Sequence, residues 1–139
     1  MTNIKDIKEL FLKASYHYSY QHPKTHETEK TEAFLIQCTL LEGVLYNLAL
    51  KNIEKRFTNL YKKREKYYSL DNIISDLFLI KIISKEDFKK LEEFKHDRNK
   101  YFHSILKNNS KIREKELGEK YSLYKTITWK MIEKLENQK

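Results

Sequence analysis

Arg98 and His103 stand five residues apart, and Glu42 is the only charged residue between Ala33 and Leu50. An imidazole with an ordinary pKa near 6.5 serves as proton donor or acceptor at neutral pH. A guanidinium is a permanently charged, planar fork of donors suited to an oxyanion. On a regular helix a five-residue offset is about 140° of rotation and 7.5 Å of rise, so the two side chains do not share a face. They converge only through arginine's length, a local bulge or a second subunit. Arg98 also breaks a pattern. The apolar stripe Leu91, Phe94, Phe102, Ile105 has a gap, and Arg98 fills it at three- and four-residue spacing. An arginine there must be paired, sit at an interface or snorkel outward. Glu42 is the expected partner, because an unpaired buried charge costs several kcal/mol. A plain structural ion pair, or a polar stripe Thr39, Glu42, Tyr46 that reaches solvent, meets the same pattern.

A second group of residues suits a polyanion. Within residues 51–66, Lys51, Lys55, Arg56, Lys62, Lys63, Arg64 and Lys66 face only Glu54 and Glu65, and Tyr61, Tyr67 and Tyr68 lie among or beside them. Cations for phosphates and aromatic rings for bases make an RNA track of Lys55, Arg56, Lys62, Lys63, Arg64 and Lys66. A solvated helix end is the competing reading. The whole chain carries a net charge of +8, which favours nucleic acid first and an anionic membrane surface second. His17, His22 and His26 straddle Pro23, but no carboxylate or cysteine set completes a coordination shell, so neither a metal nor a cofactor is expected. Tyr16, Tyr18 and Tyr20 are expected to pack at a helix end. Cys38, the single cysteine, reads as inert core and excludes a disulfide framework. His96 and Asp97 read either as substrate contacts or as a solvent face.

The elements that position these groups follow from composition and periodicity. Leu, Ile, Val and Phe make up 38 of 139 residues, enough for a core. Two glycines, one proline and one valine cannot supply the turns and β-branched strands of a sandwich or the glycine-rich connections of an α/β fold. The expectation is one all-α domain over residues 1–139, a compact bundle of about five helices. The first runs from a Thr2 cap to about Tyr20, followed by a loop around Pro23. The second is long and central, from about Glu29 into the 60s, and apolar nearly all round between Ala33 and Leu50. A short third helix (DNIISDLFLIKI) is capped by Ser69 or Asp71. The fourth opens on a Ser84–Asp87 capping box, ends at Asn108-Asn109 and carries Arg98 and His103. Ser110 caps the fifth, whose buried stripe is Leu117, Tyr121, Tyr124, Ile127, Met131 and Leu135. No signal-peptide stretch opens the sequence and no uninterrupted apolar run nears 20 residues, so a cytoplasmic protein without a membrane partner is expected.

The segment Arg98-Asn99-Lys100-Tyr101-Phe102-His103, an R-N-x-x-x-H in the fourth helix behind a long apolar second helix with an embedded acid, resembles the HEPN superfamily of small helical bundles. The resemblance spans roughly Ile4 to Leu135. It implies a metal-independent endoribonuclease, with Arg98, His103, Asn99 and Glu42 as site residues and two subunits each giving one Arg and one His to a shared cleft. It further implies a homodimer through the fourth helix, RNA as substrate, and 2′,3′-cyclic phosphate and 5′-hydroxyl ends. The branch paired with minimal nucleotidyltransferases carries a tyrosine two residues after the histidine. Here that residue is Ile105, so the likeness is closer to anticodon nucleases, phage-defence toxins and CRISPR effector nucleases, with a cognate inhibitor protein as a further partner. Two other readings stand beside it: a HEPN-like module that binds RNA or nucleotides without cutting, and a helical interaction protein such as an antitoxin partner.

Overall fold

A computed structural model describes residues 3–20, 29–106 and 114–138, and the described residues form six α-helices and no strands. They are α1 (Ile4–Ser19), α2 (Lys30–Arg56), α3 (Thr58–Lys66), α4 (Leu70–Leu79), α5 (Lys85–Leu106) and α6 (Glu114–Glu136). The Thr2 cap, the Pro23 loop with His22 and His26, the Asn108-Asn109 stop, the Ser110 cap and the side chain of Ile105 lie outside the described residues. Asn3 caps α1 instead, its side chain accepting from the Lys5 N–H at 3.0 Å.

The all-α bundle is as expected, but with six helices rather than five, because the long second helix breaks at Phe57 (φ −140°, ψ 77°). At about 1.5 Å per residue, a straight continuation would carry residues 57–66 roughly 15 Å past the bundle. The break turns α3 back, so that Arg64 Nε reaches the buried Asp76 of α4 at 3.1 Å. Tyr68 donates its hydroxyl to the same carboxylate at 2.6 Å. Since α3 buries no residue of its own, this carboxylate is its tether.

At the centre lies α2, packed against α1, α3, α4 and α6, with Leu41, Leu45, Leu48, Ala49 and Ile53 fully buried. By length and composition α2 could cross a membrane, but here its apolar side chains are the middle of the core. All six expected stripe residues of α6 are buried. Ser69 caps α4 by accepting from the Asn72 N–H at 3.2 Å. That helix closes with the Lys81 N–H on Phe78 O and the Ile82 N–H on Leu77 O, a Schellman arrangement. Lys81 takes the left-handed conformation (φ 64°) where glycine is usual. Ser84 caps α5 through the Asp87 N–H at 3.1 Å, but the Asp87 carboxylate meets Lys130 of α6 at 2.8 Å instead of closing the box.

One correction concerns α5. Its buried stripe is Leu91, Phe94, Asp97 and Tyr101, whereas Arg98 and Phe102 are partly buried at its edge. The three-and-four spacing permits either branch, and the bundle interior takes the one through Asp97. Asp97 is therefore not a solvent face, and its carboxylate is taken up by partners inside the bundle. It accepts a hydrogen bond from the buried Tyr124 hydroxyl and pairs with Lys120 at 3.1 Å. His96, its neighbour, is exposed.

Candidate functional site

The expected meeting of Glu42 and Arg98 occurs: Arg98 Nε lies 2.6 Å from Glu42 Oε1 across the α2–α5 interface. The two side chains are 31% and 25% exposed, so the pair sits at the rim of the core rather than inside it. The Nε–H is not aligned on an acceptor, which makes this contact an ion pair rather than a linear hydrogen bond. Two further contacts fix the guanidinium. Nη1 donates to Asn99 Oδ1 at 2.9 Å, and the group lies over the Phe102 ring at 4.6 Å from its centroid. A rotamer-rich side chain is thus held in one place before any ligand arrives.

Burial pushes the Glu42 carboxyl above the usual carboxylate range, and the charge of Arg98 pulls it partly back. A group held tighter to its proton in the folded than in the unfolded chain loses folding stability as pH rises through that window. Removing Arg98 should raise Glu42 further. We therefore expect Arg98→Ala to lose more stability than the wild type when urea melts are compared from about pH 4 to pH 8. Glu42→Gln should flatten this part of the profile. An Arg98→Ala profile parallel to the wild type would show that the two charges are uncoupled.

Arg98 opens onto a cleft of ≈ 560 Å³. Glu42, Gly43 and Tyr46 of α2 form one wall, and Lys95, Arg98 and Asn99 of α5 form another. The head of α4 and the link before it supply Tyr67, Tyr68, Ser69, Leu70, Asp71 and Ile73. Lys95 is paired with Asp71 and, at 2.8 Å, with Glu92. Of the four residues expected to share a site, Glu42, Arg98 and Asn99 line this cleft. His103 does not: it is exposed on the last turn of α5, beyond the cleft's lining.

The basic track divides. Lys62, Lys63 and Lys66 are exposed on α3, Lys55 and Arg56 are exposed at the end of α2, and Arg56 reaches Ile80 O at 3.4 Å. Arg64 instead turns inward to Asp76 and serves the fold. Thr39, Glu42 and Tyr46 do form a polar stripe that reaches solvent, and Tyr46 and Lys95 join Glu42 and Arg98 in the cleft lining. The available signal was spacing, since Tyr46 lies one helical turn after Glu42 and Lys95 one turn before Arg98 and Asn99.

Burial, and secondarily Glu42, pushes the Cys38 thiol well above its usual range, so it is an inert core group. Tyr18 packs at the helix end as expected, stacked on Tyr121 at 4.9 Å, whereas Tyr16 meets the Tyr20 ring at 5.6 Å but stays largely exposed. His17 pairs with Glu29. Among the described residues no group of three or more His, Cys, Asp or Glu is placed to hold a metal ion. No protein-family model matches this chain, and comparison with curated proteins and with solved structures gives no match.

Proposed function

We propose that this chain is a HEPN-like, metal-independent endoribonuclease that acts in the cytoplasm as a toxin or phage-defence effector. One observation carries the reading: Arg98, the arginine of the R-N-x-x-x-H segment, is held by Glu42, Asn99 and Phe102 at the wall of a cleft large enough for a nucleotide. RNA carries its own nucleophile, the 2′-hydroxyl. Cutting needs only a group to take its proton, a group to protonate the 5′-oxygen that leaves, and a cation for the charged phosphorane. Arg98 supplies the cation and imidazoles supply the proton transfers. Because His103 lies outside the cleft of its own chain, the site is completed by a second copy docked along α5. A twofold contact of this kind places two arginines and two histidines around one groove.

Incubation of mixed RNA with the protein in EDTA tests the function. Cutting in EDTA that leaves 2′,3′-cyclic phosphate ends is expected, and no cutting at any protein concentration overturns it. Light scattering should give twice the 17.0 kDa chain mass. A monomer that still cuts RNA at nanomolar concentration would remove the composite site. The exposed position of His103 outside the cleft equally favours a second reading, a module that binds RNA through the cleft without cutting it. RNA retained on the protein but recovered intact would select that reading.

A further inference from the structure

We infer that the cleft beside Arg98 is a base-binding subsite, in which one nucleobase of a single-stranded RNA stacks on Tyr67 and Tyr46 while an adjoining phosphate meets Arg98. The inference rests on the proposed role of RNA as ligand, but not on whether the RNA is cut. Tyr67 sits in the extended link between α3 and α4 and is 76% exposed, an aromatic surface that the fold leaves uncovered. Tyr46, on α2, is 36% exposed into the same cleft. Behind it Tyr68 is committed to Asp76 through its hydroxyl and meets the Tyr46 ring edge-on at 6.1 Å, which props Tyr46 in position.

The charges of the cleft are already matched, Lys95 with Asp71 and Arg98 with Glu42. With both cations already ion-paired, charge alone adds little to phosphate binding at Arg98, and the exposed surface of Tyr67 and Tyr46 offers a nucleobase the larger contact. The basic track of α3 is a separate surface with the opposite character. Gly43 points the same way. A mid-helix glycine costs about 1 kcal/mol relative to alanine, yet a Cβ at Gly43 would meet nothing within 4 Å, so packing of this chain does not require it. Its bare backbone lies on the cleft wall and also borders an apolar hollow beside Ile7, Leu10 and Val44. Asn99 turns Oδ1 to the purely donating guanidinium, which leaves Nδ2 as the donor side of the same wall. Recognition through ring faces accepts any base and rejects the lack of one.

The test measures binding of full-length protein to fluorescent hexauridine RNA, 2′-O-methylated so that it is not consumed, and to an abasic ribose-phosphate hexamer of equal charge. Stacking on an aromatic is worth roughly 1–3 kcal/mol per base, so Tyr67→Ala should weaken hexauridine binding about tenfold and Tyr67→Phe should retain it. The abasic hexamer should bind the wild type more weakly by a similar factor and ignore Tyr67→Ala. Gly43→Leu, which adds bulk to the wall one helical turn from Tyr46, should weaken hexauridine binding while raising the melting temperature. Equal binding of hexauridine and the abasic hexamer, indifference to both Tyr67→Ala and Gly43→Leu, or no binding at all by the wild type overturns the subsite. Failure of the nuclease reading looks different: RNA stays intact while the Tyr67 and abasic effects persist.

Discussion

His103→Ala should cut RNA at least roughly a hundredfold more slowly than the wild type and melt at the same temperature. Proton transfer by a placed imidazole accelerates a reaction by about 10²–10⁴. The side chain is exposed, so its loss removes no core packing. Arg98→Ala should slow cleavage by a comparable factor, about 10²–10³, but with a different thermodynamic signature. It strips the counter-charge from a Glu42 side chain that is only 25% exposed, and it vacates the face of Phe102. A fall in melting temperature should therefore accompany the fall in rate. Arg98→Lys should restore stability better than activity, because a point charge neutralises Glu42 without reproducing the fork. Equal melting temperatures for the two alanine variants would contradict the rim ion pair. An active His103→Ala would contradict the catalytic assignment.

The largest loss of stability is expected one residue before Arg98. Asp97→Ala leaves the Tyr124 hydroxyl, fully buried at 0% exposure, without its acceptor, and Lys120 without its carboxylate. Leaving such a buried hydroxyl unsatisfied costs about 1–3 kcal/mol, a sizeable part of the stability of a small domain. Replacing both ends by apolar groups, Asp97→Leu with Tyr124→Phe, should recover most of it, since the penalty lies in the orphaned hydroxyl more than in the lost bond. Urea melts that place Asp97→Ala within about 0.5 kcal/mol of the wild type would rule out this network as an anchor of α5 on α6.

Fold class was legible because an inventory with two glycines and one proline leaves few ways to build anything but helices. The stripe of α6 was legible for the same kind of reason: aromatic and aliphatic residues recur at three and four, and no competing set exists. The break at Phe57 was not. It has neither glycine nor proline, and what holds the chain beyond it is a tertiary contact, Arg64 and Tyr68 on Asp76, that no local pattern encodes. Lys81 hid the end of α4 by taking the left-handed turn position without the glycine that normally announces it.

At the site, the pairing of Glu42 with Arg98 followed from charge in apolar surroundings. The depth of Arg98 did not, because positions 97 and 98 satisfy the same periodicity and only the packing of α6 decides between them. The cleft itself was invisible, since Tyr46, Tyr67 and Lys95 come from separate segments. Helical spacing speaks to one segment at a time.

The most direct measurement is cleavage of an RNA with one 2′-O-methyl group at the nucleotide whose phosphate is cut in the unmodified strand. With the 2′-hydroxyl as nucleophile, the modified strand binds in EDTA but stays intact at that position, and the unmodified strand yields a 2′,3′-cyclic phosphate and a 5′-hydroxyl. Cutting of the methylated linkage, or products ending in 3′-hydroxyl and 5′-phosphate, would contradict the mechanism built on Arg98 and His103.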